Sequence, residues 1–216
     1  MIFKDRMDAA KQLAERLDAY QGQNPLVLAI PRGAVPMAHH IAHVLGGELD
    51  VVLVRKLGAP NQPELAVGAI DESGEVYLHP YAEQLHLSTH YLEGEEEDQL
   101  QTLKERRAAY TPHRPPLNPK GRVVIVVDDG VATGSTMSAA LHAIRAKNPK
   151  KLIVAVGVAP TDTIQRLKHE ADEVVCLATP DPFYAVGQFF QNFSQVSDAE
   201  VIRFLKEGKQ PLAAAN

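Results

Sequence analysis

The chain has 216 residues, 45% of them hydrophobic and 23% charged, with a net charge of −5. That is enough to bury one α/β core with a small appendage, and the proportions are those of a soluble globule. No apolar run approaches a membrane span, the negative balance argues against nucleic acid or anionic lipid as a general partner, and residues 1–6 carry no signal core. The single cysteine, Cys176, excludes an internal disulfide, and a cytoplasmic protein is expected.

In chain order, Asp5 to Tyr20 reads as an amphipathic helix with Ala10, Leu13, Ala14 and Leu17 on one face. Pro25 to Ile30 is a buried strand, Val35 to Leu45 a helix closed by Gly46-Gly47, and Leu49 to Val54 a second buried strand. Leu57 to Val67 is rich in Gly, Pro and Asn and predicts a mobile surface loop. Val67 to Ile70 and Val76 to Leu78 flank a turn at Asp71-Glu72-Ser73-Gly74. Ser88 to Tyr110 predicts a solvated helix, with acids early (Glu93, Glu95, Glu96, Glu97) and bases late (Lys104, Arg106, Arg107), as the helix dipole favours. A proline-rich connector, Pro112 to Pro119, follows. Then come a strand ending at Asp128-Asp129, a helix, a strand Leu152 to Val158, a helix near Thr163 to His169, a strand Glu173 to Leu177 and a final helix Asp198 to Lys206. This alternation predicts one domain over 1–216: a doubly wound, mostly parallel α/β sheet, interrupted by a helical insertion at about 80–119.

The most informative segment is Val123-Val124-Ile125-Val126-Val127-Asp128-Asp129-Gly130-Val131-Ala132-Thr133-Gly134-Ser135-Thr136. A buried strand ends in two carboxylates, and small and hydroxylated residues then lead into a helix. Backbone N–H groups and a helix N-terminus at the carboxyl edge of a sheet make a phosphate cradle. The acids beside it suit sugar hydroxyls, so a sugar phosphate is the expected ligand. The Walker pattern does not fit, because Gly134 is followed by Ser135 and not Lys; the dinucleotide fingerprint lacks its third glycine. A merely structural turn would leave the paired acids unexplained.

The segment resembles the phosphoribosyl pyrophosphate (PRPP) motif of type I phosphoribosyltransferases along its whole length. The resemblance implies that Ala132, Thr133, Gly134, Ser135 and Thr136 grip the 5′-phosphate. Asp128 and Asp129 would hold the ribose hydroxyls, directly or through Mg²⁺, the implied cofactor. Pro31-Arg32-Gly33-Ala34 follows the first buried strand, an arrangement that presents a guanidinium and bare N–H groups to an anion. In the resembled family this place binds pyrophosphate, which implies that role for Arg32, Gly33 and Ala34. Arg55 and Lys56 end the next strand and resemble the basic pair beside pyrophosphate in adenine phosphoribosyltransferases. The loop after them matches the family's mobile catalytic loop; Lys56 and, from that loop, Glu64 are its candidate catalytic residues.

The family covers its site with a variable hood, expected here from the 80–119 insertion, the C-terminal segment, or both. Phe183 and Tyr184, just after Pro180-Asp181-Pro182, are candidates for stacking on a planar base. Ala132 stands where hypoxanthine and guanine enzymes carry an Asp, which argues against a typical 6-oxopurine enzyme without selecting another base. His39 and His43 lie one helical turn apart, but no carboxylate pattern accompanies them, and packing histidines are expected. The expected activity is Mg²⁺-dependent transfer of the phosphoribosyl group to a nitrogenous base, with release of pyrophosphate, by a homodimer. The alternatives are a PRPP-sensing regulator of the same fold, or a phosphate-ester hydrolase using the same cradle.

Overall fold

The computed structural model describes residues 3–60, 62–78, 82, 85, 87–112 and 114–208, and the side chains of 63–66 lie outside that description. Helix α1 (Arg6–Arg16) is capped by the Asp5 carboxylate, which accepts from the Asp8 N–H at 2.9 Å. Strand β1 (Leu26–Ala29), helix α2 (Val35–Leu45) and strand β2 (Glu48–Val51) follow, and α2 ends on a left-handed Gly46. Next come β3 (Val54–Ala59), β4 (Gln62–Asp71), β5 (Val76–Leu78) and the long helix α3 (Thr89–Tyr110). Strand β6 (Val123–Gly130), α4 (Ser135–Ala146), β7 (Lys151–Val158), α5 (Thr161–Leu167), β8 (Glu173–Ala178) and α6 (Asp198–Glu207) complete the chain.

The main sheet has the order β2-β1-β6-β7-β8, and every pairing in it is parallel. Strands β1, β6 and β7 are buried on both faces along most of their length, whereas the edge strand β8 is half-buried throughout, and alternate side chains enter different cores. Val27, Ala29, Ile125, Val127, Ile153 and Ala155 meet α1, α2 and α6 on one face. Leu26, Leu28, Val124, Val126, Leu152 and Val154 meet α4 and α5 on the other. The fold is therefore the expected doubly wound α/β sheet. The chain winds outward from β1 to β2 and later returns to place β6 on the other side of β1. The carboxyl ends of β1 and β6 flank this reversal, where open α/β sheets leave a crevice for ligands.

Two expectations need correction. The apolar run from Leu49 to Val54 is not one strand: β2 ends at Val51, and β3 begins at Val54 in a separate three-stranded antiparallel sheet, β3-β4-β5. The linking Val52 and Leu53 are themselves buried, so hydrophobicity does not mark the break. The stretch from Leu57 to Val67 is not an irregular loop but most of the β3–β4 ribbon, with its register broken around Gly58. Leu57 and Val67 are fully buried and anchor the ribbon. The turn at Asp71 to Gly74 forms as expected, with Gly74 at φ 85° and the Asp71 carboxylate accepting from the Ser73 and Glu75 N–H groups.

Helix α3 packs on the ribbon by burying Leu103, worth about 2 kcal/mol. Polar contacts hold it in register. The Arg107 guanidinium donates to Asp50 at 2.8 Å, to the Val51 carbonyl at 2.9 Å, and to Glu72. Arg114 and the Leu117 N–H from the proline-rich connector also reach Asp50. The C-terminal segment returns beside the N-terminus: the Phe3 N–H donates to the Phe189 carbonyl and the Gln191 N–H to that of Phe3, at 2.8 and 2.9 Å. Among the described residues no helix is long and apolar enough to cross a membrane.

Candidate functional site

The loop between β6 and α4 is built to face an anion. Helix α5 takes two of its carbonyls: Thr163 Oγ1 donates to Ala132 at 2.8 Å, and Arg166 Nη2 to Thr133 at 2.7 Å. In a trans peptide the N–H points opposite its carbonyl, so the N–H groups of Thr133 and Gly134 turn away from α5. Gly134 precedes α4 with φ 80°, a conformation that glycine adopts freely. No side chain caps α4. Among the described residues, no hydrogen bond uses the N–H groups of 133–136. Four donors and a helix N-terminus are thus left for a ligand, the arrangement that holds phosphate. The Thr133 and Ser135 hydroxyls lie 3.3 Å apart beside them.

The two acids have different surroundings. Asp128 is half-buried, and its Oδ1 accepts from the Asp129 N–H at 2.9 Å. Burial pushes its carboxyl well above the usual range, and the neighbouring Asp129 charge adds to the effect; that hydrogen bond and Arg6 pull in the opposite direction. Asp129 is buried, and its Oδ2 accepts from Arg6 Nε at 2.7 Å. Arg6 sits at the start of α1, stacked 3.8 Å from the Phe193 ring centroid, and its Nη1 donates to the Ser194 carbonyl at 2.6 Å. Sequence reading missed Arg6. It lies 123 residues from its partner and belongs to no motif; only its place opening an amphipathic helix singles it out.

The loop after β1 lies against the same carboxylate. The Pro31–Arg32 peptide is cis. A Cβ at Gly33 would collide with Asp129 Oδ2 and lie 3.2 Å from Arg6 Nη2. Arg32 is 39% exposed, with Asp198 3.5 Å away at the start of α6. Ala34 is fully buried, backbone included.

A cleft of about 410 Å³ brings together three of the predicted segments, represented by Pro31, by Arg55 and Lys56, and by Thr136. Helix α3 forms its far wall with Tyr91, Glu95, Gln99 and Arg106. Arg55 Nε donates to Gln99 Oε1 at 2.7 Å, and the Tyr91 hydroxyl donates to the Gly58 carbonyl at 2.9 Å. The helix is thereby fastened to the ribbon that carries the basic pair. Asp128, Asp129, Arg32 and Gly33 lie outside the lining of this cleft, as do Phe183 and Tyr184. Phe183 packs on Phe189 with ring centroids 5.1 Å apart, whereas Tyr184 is 83% exposed. Glu64 lies on β4, but its side chain is outside the described residues. Also among the described residues, no group of three or more His, Cys, Asp or Glu is placed to hold a metal.

Comparison with known proteins identifies the family of the chain. Residues 2–190 match the family model described as the phosphoribosyl transferase domain. Two Mycobacterium tuberculosis proteins, from strains CDC 1551 and H37Rv, are named provisionally as phosphoribosyl transferases. Each is 44% identical over 215 residues, covering 99% of this chain and 48% of its own length. The chain thus spans about half the length of the curated relatives it matches. The crystal structure of TT1426 from Thermus thermophilus is 46% identical, covers 96% of this chain and 99% of its own, and superposes with a TM-score of 0.88. The chain belongs to the phosphoribosyl transferase domain family.

Proposed function

We propose that the protein transfers the phosphoribosyl group of PRPP to a nitrogenous base and releases pyrophosphate, with Mg²⁺ as cofactor. One observation carries the reading. The loop at 132–136 has its carbonyls fastened to α5 and its N–H groups open, directly after an acid pair and beside a cleft shared by Pro31, Arg55 and Lys56. The 5′-phosphate would take the open N–H groups of 133–136, and the acid pair the ribose hydroxyls. The Arg32-Gly33 loop and the Arg55-Lys56 pair would receive pyrophosphate.

In the reaction a base nitrogen forms a bond to the anomeric carbon as the bond to pyrophosphate breaks. Pyrophosphate leaves with the bonding electrons, and the nitrogen gives up its proton. Positive charge develops on the ribose ring, where the carboxylates favour it; negative charge develops on the leaving oxygens, where the cations do. Asp128 and the Asp129 oxygen not held by Arg6 would supply carboxylate oxygens to Mg²⁺, too few for an all-protein cage but enough for an ion completed by water and substrate oxygens. When bound, Mg²⁺ would neutralise pyrophosphate oxygens. Helix α3 would serve as the hood over the basic pair, and Tyr184 offers an exposed ring for a base. Ala132 makes adenine-like and non-purine acceptors the first to try.

Pyrophosphate release from PRPP and Mg²⁺, measured over a panel of bases, tests the reading. One base should stimulate release strongly, and Lys56→Ala should lower turnover more than ribose-phosphate binding. Release that no base stimulates would favour hydrolysis. PRPP-dependent binding of a defined nucleic-acid site at physiological salt, without release, would favour the sensor.

A further inference from the structure

We propose that Arg106 of α3 is a third cation for pyrophosphate, so that the insertion supplies part of the leaving-group site and does not merely cover it. The inference rests on the PRPP reading above and adds a residue that none of its motifs contains. Tyr91, Glu95, Gln99 and Leu103 follow one another at four-residue spacing and Arg106 comes three later, so all five fall on one face of the helix. Leu103 is buried, Gln99 is bonded to Arg55, and Tyr91 to the Gly58 carbonyl, which fixes that face against the ribbon. Arg106 therefore lines the same cleft as Arg55 and Lys56. Arg107 stands about 100° further around the helix and is taken up by Asp50, Glu72 and the Val51 carbonyl. Arg106 is exposed and, among the described residues, has no hydrogen bond or ion pair. It is a cation of α3 left open to a ligand in this cleft.

A compact polyanion suits such a cleft. Among the described residues, its lining sets three cations, Arg55, Lys56 and Arg106, against one acid, Glu95, in a chain whose net charge is −5. The Glu95 carboxylate is turned to the ribbon, where it accepts from Gln99 at 3.2 Å and from the Gly58 N–H at 3.5 Å. The volume, about 410 Å³, is that of a small-molecule site. An acceptor base fits less well, because it enters on the face of the ribose opposite pyrophosphate, and the basic pair marks the pyrophosphate side. A guanidinium can hold two phosphoryl oxygens with parallel N–H bonds. Charge that develops on the leaving oxygens would strengthen that contact.

Calorimetric titration in Mg²⁺ buffer with pyrophosphate, PRPP and ribose 5-phosphate separately tests this on the wild type, Arg106→Ala, Arg106→Lys and Lys104→Ala. Arg106→Ala should lower the affinity for pyrophosphate and for PRPP about tenfold or more, the loss of one charge-assisted contact. Ribose 5-phosphate, which carries no pyrophosphate, should change less than about twofold, since a distant exposed charge is screened. Arg106→Lys keeps the charge but not the fork and should recover part of the loss. Lys104 is exposed on the same helix but lines a different cleft, with Arg107 and Arg114. Lys104→Ala therefore removes an equal charge and should change none of the three affinities more than about twofold. Melting curves establish that each variant is folded. Where free pyrophosphate binds too weakly to titrate, PRPP against ribose 5-phosphate carries the comparison. The inference is overturned if folded Arg106→Ala binds pyrophosphate and PRPP like the wild type, if its ribose 5-phosphate affinity falls as much, or if Lys104→Ala has the same effect. Each of these results leaves the PRPP reading standing while the wild type binds PRPP. A wild type that takes up neither PRPP nor pyrophosphate overturns the functional reading itself, and the role of Arg106 with it.

Discussion

Gly33→Ala is the smallest change that separates the geometry of the site from its charge. Gly33 has no left-handed φ, so alanine meets no backbone penalty, and any effect comes from the methyl group. The methyl would overlap Asp129 Oδ2 by about 1 Å, and its next neighbours are Arg6 Nη2 and Asp129 Cγ, both at 3.2 Å. The carboxylate cannot rotate away without losing Arg6, so the loop after β1 must retreat from the acid pair. An overpacked site of this kind destabilises by about 1–3 kcal/mol, a fall of several degrees in Tm for a chain this size. A displacement of about 1 Å between groups that share a substrate costs on the order of 100-fold in turnover. The assays are a thermal melt, PRPP titration and base-dependent pyrophosphate release. A variant with wild-type Tm, affinity and turnover would refute the close approach of the two loops.

Other substitutions test the supports of the site. Lys147→Met should destabilise by about 1–3 kcal/mol at neutral pH, because Asp71 is buried and loses its 2.7 Å partner. Burial raises the Asp71 carboxyl, but its bonds to Lys147 and Ser73 outweigh that and hold it below its ordinary value. This stability is present above the unfolded pKa, about 3.9, and is lost as the pH falls through the lower folded value. In urea unfolding the gap between wild type and variant should therefore narrow below about pH 4; an equal gap at pH 7 and in acid would contradict the assignment. Arg107→Leu should cost about 1.5–3 kcal/mol by removing the partner of half-buried Glu72 and one of the partners of Asp50, which keeps Arg114 and the Leu117 N–H, read as a lower urea midpoint with an unchanged slope. Tyr91→Phe removes the bond to the Gly58 carbonyl, worth about 1 kcal/mol, and should speed amide exchange in β3 about fivefold; unchanged exchange would show that α3 does not fasten the ribbon. Gly94→Ala, at a helical position with open space around it, should stabilise α3 by about 0.5–1 kcal/mol in the same urea assay.

The parts of the fold legible in the sequence are those whose physics is local. The β6 loop announces itself because strand, acids, small residues and helix start are contiguous, and the α5 contacts then add what sequence could not: which way its peptides face. Helix α3 is legible from its charge gradient and its Ser88 cap, which accepts from the Tyr91 N–H. The β3–β4 ribbon is not, because Gly58, Pro60 and Asn61 carry a turn signal that masks the buried Leu57 and Val67 on either side. The end of β2 is hidden for the opposite reason, since strand, linker and next strand are all apolar. Arg6 shows the limit most clearly. Its partner, its stacking ring and its carbonyl acceptor lie at 129, 193 and 194, and only the folded chain brings them to one guanidinium. The two anion loops are readable from local sequence, but the residue that joins them is not.

Titration of the wild-type chain with PRPP in the presence of Mg²⁺, followed by calorimetry, tests the central claim most directly. The account predicts saturable binding at one site per chain that Asp128→Asn greatly weakens while its melting curve stays close to wild type. A well-folded wild type that takes up no PRPP, or an Asp128→Asn variant that binds it unchanged, would contradict the account.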